Sequence, residues 1–295
     1  MNTPAWRLVL TTAAAMLLGA GCQRATPPAP TAGAGPRVVT LAPNLTELVC
    51  AVGAGNLLIG RTSVCNYPPE IVARVPAVGD FGVPSIERIL ALKPTVLLET
   101  DTADPTTLAR LRRTGVAVVH VPCVRLDDIP NAMFLIGETV GRAREAAVQA
   151  ADLRRKIAAL RSAANAFHGP RPRVYVEIWN DPLSTVGRNS FLAELVRLAG
   201  GDNVGDEADQ DYFQVSSEWV VARNPEIVLC FYMGSASAVE DLIVRRAGWN
   251  RVAAVRNHRV YSGFDNDIVL RPGPRVLTGI AALERAIHES VNSKQ

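Results

Sequence analysis

Ser85-Ile86-Glu87-Arg88-Ile89-Leu90-Ala91-Leu92-Lys93-Pro94-Thr95-Val96-Leu97-Leu98 recurs about 131 residues later as Ser216-Ser217-Glu218-Trp219-Val220-Val221-Ala222-Arg223-Asn224-Pro225-Glu226-Ile227-Val228-Leu229. In each copy a Ser is placed to cap a helix, and a carboxylate stands in the first turn, where the helix dipole favours it. A Pro then stops the helix, and an apolar run suits a parallel strand buried on both faces. Helix, tight turn and strand repeated at this separation imply one architecture used twice.

The flanking sequence extends the repeat. Arg37-Val38-Val39-Thr40-Leu41 reads as a strand, followed by a Pro43-Asn44 turn and a helix over 45–52 that ends at Gly53 and Gly55. Arg173 to Ile178 reads as a strand, followed by a loop and a helix over 191–198 that ends at Gly200-Gly201. Residues 57–63 read as a further strand. Strands alternating with helices in both halves imply parallel sheets with right-handed crossovers. Between the halves, Glu138 to Phe167 lacks Pro and is rich in Ala, Arg, Glu and Leu. It predicts one helix of about 25 residues and ~35 Å that bridges the lobes and restricts hinge motion. The fold class expected is α/β: two Rossmann-like lobes with parallel sheets joined by one long backbone helix. The boundaries expected are a signal peptide over 1–21, a tether over 22–36, an N-terminal lobe over 37–140, the linking helix over 141–168 and a C-terminal lobe over 169–295.

The 295 residues, 48% apolar and 20% charged, are ordinary globular composition, which excludes a disordered, collagenous or coiled-coil chain. Thirty-one basic against 28 acidic residues give +3, with the arginines scattered, so nucleic acid is not an expected partner. One positive charge before the apolar run Leu8 to Leu18 has the build of an export signal, too short to span a bilayer. Gly19-Ala20-Gly21-Cys22 is similar to the bacterial lipobox, with Gly19 where Leu is usual, and implies lipidation of Cys22 and an anchor in the cell envelope or periplasm. Gln23 to Pro36, rich in Ala, Pro, Thr and Gly, reads as a tether. Cys50, Cys65, Cys123 and Cys230 show no CxxC spacing, and one disulfide or none fits equally. His120, His168, His258 and His288 are too scattered for a free-metal site. There is no GxSxG, P-loop or HExxH motif, and Gly53-Ala54-Gly55 follows a helix rather than a strand, so no enzyme, catalytic residue or resident cofactor is expected.

From Arg37 to His288 the chain resembles the substrate-binding proteins of ABC importers that have a helical backbone, most of all the periplasmic cobalamin-binding proteins. The resemblance is carried by Leu41-Ala42-Pro43-Asn44-Leu45-Thr46-Glu47-Leu48, Cys65-Asn66-Tyr67-Pro68-Pro69, Gly79-Asp80-Phe81-Gly82, the two repeated segments, Gln214-Val215-Ser216-Ser217-Glu218 and Arg271-Pro272-Gly273-Pro274-Arg275. It implies a monomer that holds a corrinoid between its lobes and delivers it to permease transmembrane subunits, with a ferric siderophore or haem as the alternative cargo. Glu87 and Glu218 are implied to dock with the permease. Tyr67, Phe81 and Tyr212, with Phe213 beside it, are implied as aromatic surfaces for the ligand, and Asp267 and Arg271 as groups facing its amide rim. Asn44, Trp179 and Arg188 join the candidate ligand-binding set, and Tyr67, Tyr212 or His120 would serve as an axial ligand to haem. Glu99-Thr100-Asp101 is polar where the resembled proteins carry a further tryptophan.

Overall fold

The computed structural model describes residues 35–232 and 236–288; the expected export signal, Cys22 and the tether up to residue 34 lie outside them. The first lobe contains β1 (Val38–Thr40), β2 (Leu58–Gly60), a hairpin of β3 (Gly79–Asp80) and β4 (Val83–Pro84), β5 (Val96–Glu99) and β6 (Ala117–His120). The second contains β7 (Arg173–Glu177), β8 (Trp179–Asn180), β9 (Leu183–Val186), β10 (Asp202–Asn203), β11 (Tyr212–Gln214), β12 (Ile227–Cys230) and β13 (Val260–Tyr261). The parallel sheets run β2-β1-β5-β6 and β10-β7-β12-β13. In both, the strand that opens the lobe lies second, so the topology is duplicated along with the sequence.

Alternation along these strands divides the apolar residues among three cores. Val38, Leu98, Val174, Val176, Ile227 and Leu229 face one continuous core shared by both lobes. Val39, Leu41 and Leu97 face a core private to the first lobe, and Tyr175, Val228 and Cys230 one private to the second. The lobes therefore share apolar packing that separation would expose to water.

The repeated segments fold alike. Ser85 Oγ accepts from the Arg88 amide at 3.3 Å, and Ser216 Oγ from the Trp219 amide at 3.2 Å, capping the helices Ile86–Ala91 and Ser217–Arg223. Each helix is followed by a left-handed residue just before the Pro, Lys93 at φ 48° and Asn224 at φ 45°. Asn tolerates that region better than Lys, which lacks a short polar side chain to bond locally.

Several expectations need adjustment. The helix expected over 45–52 is Pro43–Ala51, because Pro is pre-organised for a first helical turn. The strand expected over 57–63 is only Leu58–Gly60, with Arg61 making a single bridge to Ala77. Glu138 does not open the long helix. It belongs to Asp128–Val140, which ends where Gly141 turns left-handed at φ 72°; the chain reverses there and starts the 24-residue helix Ala143–Ala166. The reversal is tight because Gly137 has no side chain: a Cβ built on it would lie 2.1 Å from Ala146 Cβ. The second lobe also carries an unexpected three-stranded antiparallel sheet, β11-β9-β8, in which Trp179 pairs with Ser184. Cys50, Cys65, Cys123 and Cys230 are all unpaired thiols.

The helix Ala143–Ala166, ~36 Å long, packs on Asp128–Val140 of the first lobe and on Phe191–Leu198 of the second. Its Arg161 joins them through Asp127 at 2.7 Å and Glu194 at 2.6 Å. A second link is more buried. Glu47, on the first-lobe helix Pro43–Ala51, receives Arg271 Nη1 at 2.9 Å and Arg275 Nε and Nη2 at 2.8 Å each; its side chain is 2% exposed. Arg125 and Asp211 add a third at 2.8 Å.

Glu47→Ala is expected to lower stability by about 3–5 kcal/mol, since it leaves two partly buried guanidiniums without their countercharge. Urea unfolding measures it, and a loss below about 1 kcal/mol, the range of a surface pair, would contradict the assignment. Gly137→Val should cost a further class of energy, overpacking, of about 1–3 kcal/mol. A melting temperature equal to wild type would show that the helices do not approach there as described.

Candidate functional site

A cavity of ≈ 600 Å³ lies between the lobes at the carboxyl ends of the first lobe's parallel strands, where open α/β sheets hold ligands. Pro43 and Asn44 follow β1, Val64 follows β2, Thr100, Asp101 and Thr102 follow β5, and Cys123 and Val124 follow β6. Phe81, at the turn of the β3–β4 hairpin, closes one side, and Asn266, Asp267, Leu270, Arg271 and Pro272 contribute the second lobe's wall. The cavity is mostly apolar, with polar groups at defined points, the usual build of a small-molecule site.

The two walls are tied together at the floor. Asn44 Nδ2 donates to Pro272 O at 3.2 Å, and the Cys123 thiol donates to the same carbonyl at 3.3 Å. Burial pushes the Cys123 thiol up to about 12, so at neutral pH it is a protonated donor and no nucleophile. Cys65 is buried against the hydroxyls of Thr46 and Thr62, at 3.2 and 3.1 Å.

Arg271 is the only cationic side chain lining the cavity among the described residues, and both of its terminal nitrogens are engaged. Besides Glu47, it donates to Asp267 Oδ1 at 2.5 Å and to Asn66 Oδ1 at 3.1 Å, while Asn66 Nδ2 donates to Asp267. Asp267 and Arg271 thus line the cavity as expected but are bound to each other rather than presented as free charges. The opposite wall differs. Asp101 is exposed and left-handed at φ 34°, and its Oδ2 lies 3.8 Å from His120 Nε2, whose Nδ1 meets the buried Glu99 carboxylate at 3.0 Å. The neighbouring Thr102 hydroxyl is buried with no hydrogen-bond partner in the protein.

Of the aromatic candidates, Phe81 alone lines the cavity. Tyr67 stands beside the floor network, its ring under the Arg275 guanidinium at 4.2 Å. Strand register puts Trp179, Ser184, Gln214 and Tyr212 on one face of the antiparallel sheet and Phe213 with Thr185 on the other. Trp179 and Tyr212 are exposed, and Asp211, beside Tyr212, bonds Arg125, beside the cavity residue Val124. Phe213 is not available as a ligand surface: it packs edge-on against Trp219 at 5.7 Å, itself stacked by Arg223. Arg188 is likewise occupied, donating to Glu207 O at 2.8 Å and so holding its own loop.

Glu87 and Glu218 are exposed in the first turns of the two repeated helices. Glu218's own amide and the Ser216 hydroxyl hold its carboxyl below the usual range. Among the described residues no group of three or more His, Cys, Asp or Glu side chains converges to hold a metal ion, and no helix is long and apolar enough to cross a membrane. Sequence reasoning missed Glu47 and the placement of Thr102 in the cavity wall. Glu47 had a signal, since it follows Asn44 by three positions and so shares its helix face; Thr102 had none.

The family model for periplasmic binding proteins matches residues 38–265. A vitamin B12-binding protein of Vibrio parahaemolyticus is 30% identical over 261 residues, covering 88% of this chain and 91% of its own. An uncharacterized ABC transporter substrate-binding lipoprotein of Bacillus subtilis is 29% identical over 259 residues, covering 85% and 80%. The solved structure of a periplasmic heme-binding protein from Roseiflexus, in its apo form, superposes with a TM-score of 0.75 at 27% identity, covering 88% of this chain and all of that one. Duplicated parallel sheets, a helix packed on both lobes and a cavity between them agree with that match, and the chain belongs to the periplasmic binding protein family, the solute-binding proteins of ABC-type transport.

Proposed function

We propose that the protein captures a corrinoid in the interlobe cavity and delivers it to an ABC permease. The observation that carries this reading is the charge of the cavity lining: among the described residues its only lining cation, Arg271, is already bound to two carboxylates. Haem carries propionates and ferric catecholate or carboxylate siderophores are anionic, so either would enter without a free cation to receive it, at the cost of burying unpaired charge; a neutral hydroxamate is set apart by the binding test instead. A corrinoid instead presents an apolar ring face and a rim of amides. Phe81, Val64, Val124 and Leu270 suit the face, while Asp267, Asn266 and Asn44 offer partners for the rim. Tyr67, Trp179 and Tyr212 lie outside the cavity lining but are exposed, and they are assigned to parts of the ligand that extend beyond it.

Delivery rests on Glu87 and Glu218. A carboxylate at one helix start is ordinary dipole compensation; a pair at equivalent positions of duplicated lobes suits a receptor with two matching basic sites. Cys22, outside the described residues, would tie the protein to the membrane that carries the permease.

Incubation with cyanocobalamin, haemin or a ferric hydroxamate, followed by gel filtration and a visible spectrum, tests the cargo. Corrinoid absorbance is expected to co-elute with the protein; retention of haemin or hydroxamate with no corrinoid bound would replace this reading with the corresponding alternative. For delivery, Glu87→Arg with Glu218→Arg should abolish uptake in cells and leave ligand affinity within about twofold, as remote surface sites usually behave independently. Unchanged uptake would remove the docking role.

A further inference from the structure

The corrinoid reading leaves open which corrinoids fit, and the wall formed by Thr100, Asp101 and Thr102 bears on that. On the floor, the carboxylates of Glu47 and Asp267 offset the guanidiniums of Arg271 and Arg275, so that network contributes no net charge. Asp101 has no such partner. Its carboxylate is 74% exposed in the cavity wall, and the nearest cation candidate, His120, lies 3.8 Å away with its other nitrogen already against Glu99. A single imidazole between two carboxylates, Glu99 and Asp101, cannot offset both, so the wall keeps a net negative character. The Phe81-Gly82 turn abuts the same wall, since a Cβ on Gly82 would lie 3.1 Å from Thr102 O. A ligand lying on Phe81 therefore covers Asp101 and the unpartnered Thr102 hydroxyl. Water solvates Asp101 in the open cavity, and a ligand that displaces it must supply positive charge or donors in return.

We propose that Asp101 makes the cavity select for positive charge, so that the favoured cargo is a cationic corrinoid lacking the phosphate-bearing nucleotide arm rather than complete cobalamin. This rests on the corrinoid reading and adds to it a rule for choosing among corrinoids. The left-handed backbone at Asp101 is compatible with such a role, since a non-glycine residue holds that conformation at some cost.

Cobinamide supplies the probe, because its charge changes with its axial ligands while the ring and amides stay the same: doubly cationic as the diaqua form, singly cationic as aquacyano, neutral as dicyano. Affinities of the three forms are measured by absorbance titration or calorimetry for wild type and Asp101→Asn. Asn keeps the side-chain size and tolerates left-handed backbone, so the variant should fold, and its circular dichroism and melting temperature verify this. The axial ligands also differ in size, which makes the difference between the two proteins the informative quantity. Wild type should bind the forms in order of positive charge, and Asp101→Asn should reduce the ratio between the diaqua and dicyano affinities by about tenfold. Cyanocobalamin should bind wild type more weakly than aquacyanocobinamide. An equal ratio in the two proteins, or a wild-type preference for the neutral form, overturns the charge rule while leaving the corrinoid reading in place. Failure of wild type to bind any corrinoid overturns both.

Discussion

Glu47 holds the molecule's geometry at its most sensitive point. It projects from the helix that follows the first strand of the first lobe, and its two oxygens are shared between Arg271 and Arg275 of the second. A nearly buried carboxylate is costly unless it is fully paired, and this one is satisfied only while both lobes keep their present separation and register. Arg161 on the long helix repeats the arrangement farther from the cavity, engaging Asp127 and Glu194 of opposite lobes. A continuous apolar core joins the two. These links and the shared core oppose movement of one lobe against the other, which favours fixed cavity walls.

Fixed walls turn ligand selection into a matter of surface chemistry. The network that sets the spacing also engages Arg271, the one arginine lining the cavity among the described residues, so an anionic ligand meets no free positive partner among them. What is left exposed is apolar surface, amide-compatible acceptors and the Asp101 carboxylate. The charges that hold the lobes together are thus already paired within the protein, and the proposed cargo is one that does not need them.

The duplicated architecture was legible because local signals agreed. Ser caps, Pro stops and apolar strands repeat in both halves, and the two sheets have the same strand order. The relation of Phe213 to Tyr212 was not legible, since it depends on a short antiparallel sheet whose strands span two to four residues, too few for a periodicity to register. The linking helix expected over 141–168 is observed as Ala143–Ala166, but its start was not sharp in the sequence: Glu138 and Arg144 look alike to helix propensity, and only the left-handed turn at Gly141 separates the helices that carry them. At the site, Asn44, Phe81, Asp267 and Arg271 were identified from their motifs and do line the cavity. Arg188 and Phe213 were drawn into neighbouring structure by Glu207 and Trp219, contacts that no spacing in the chain announces.

A preformed cavity has a direct readout in the distance between the lobes. Spin labels introduced at the exposed positions Arg112 and Arg256, one on each lobe, allow that distance to be measured by pulsed electron resonance with and without a bound corrinoid. Fixed walls predict a single narrow distribution that ligand leaves in place. A broad or two-peaked distribution in the free protein, or a displacement on binding of about 5 Å, a full helical turn, would contradict them.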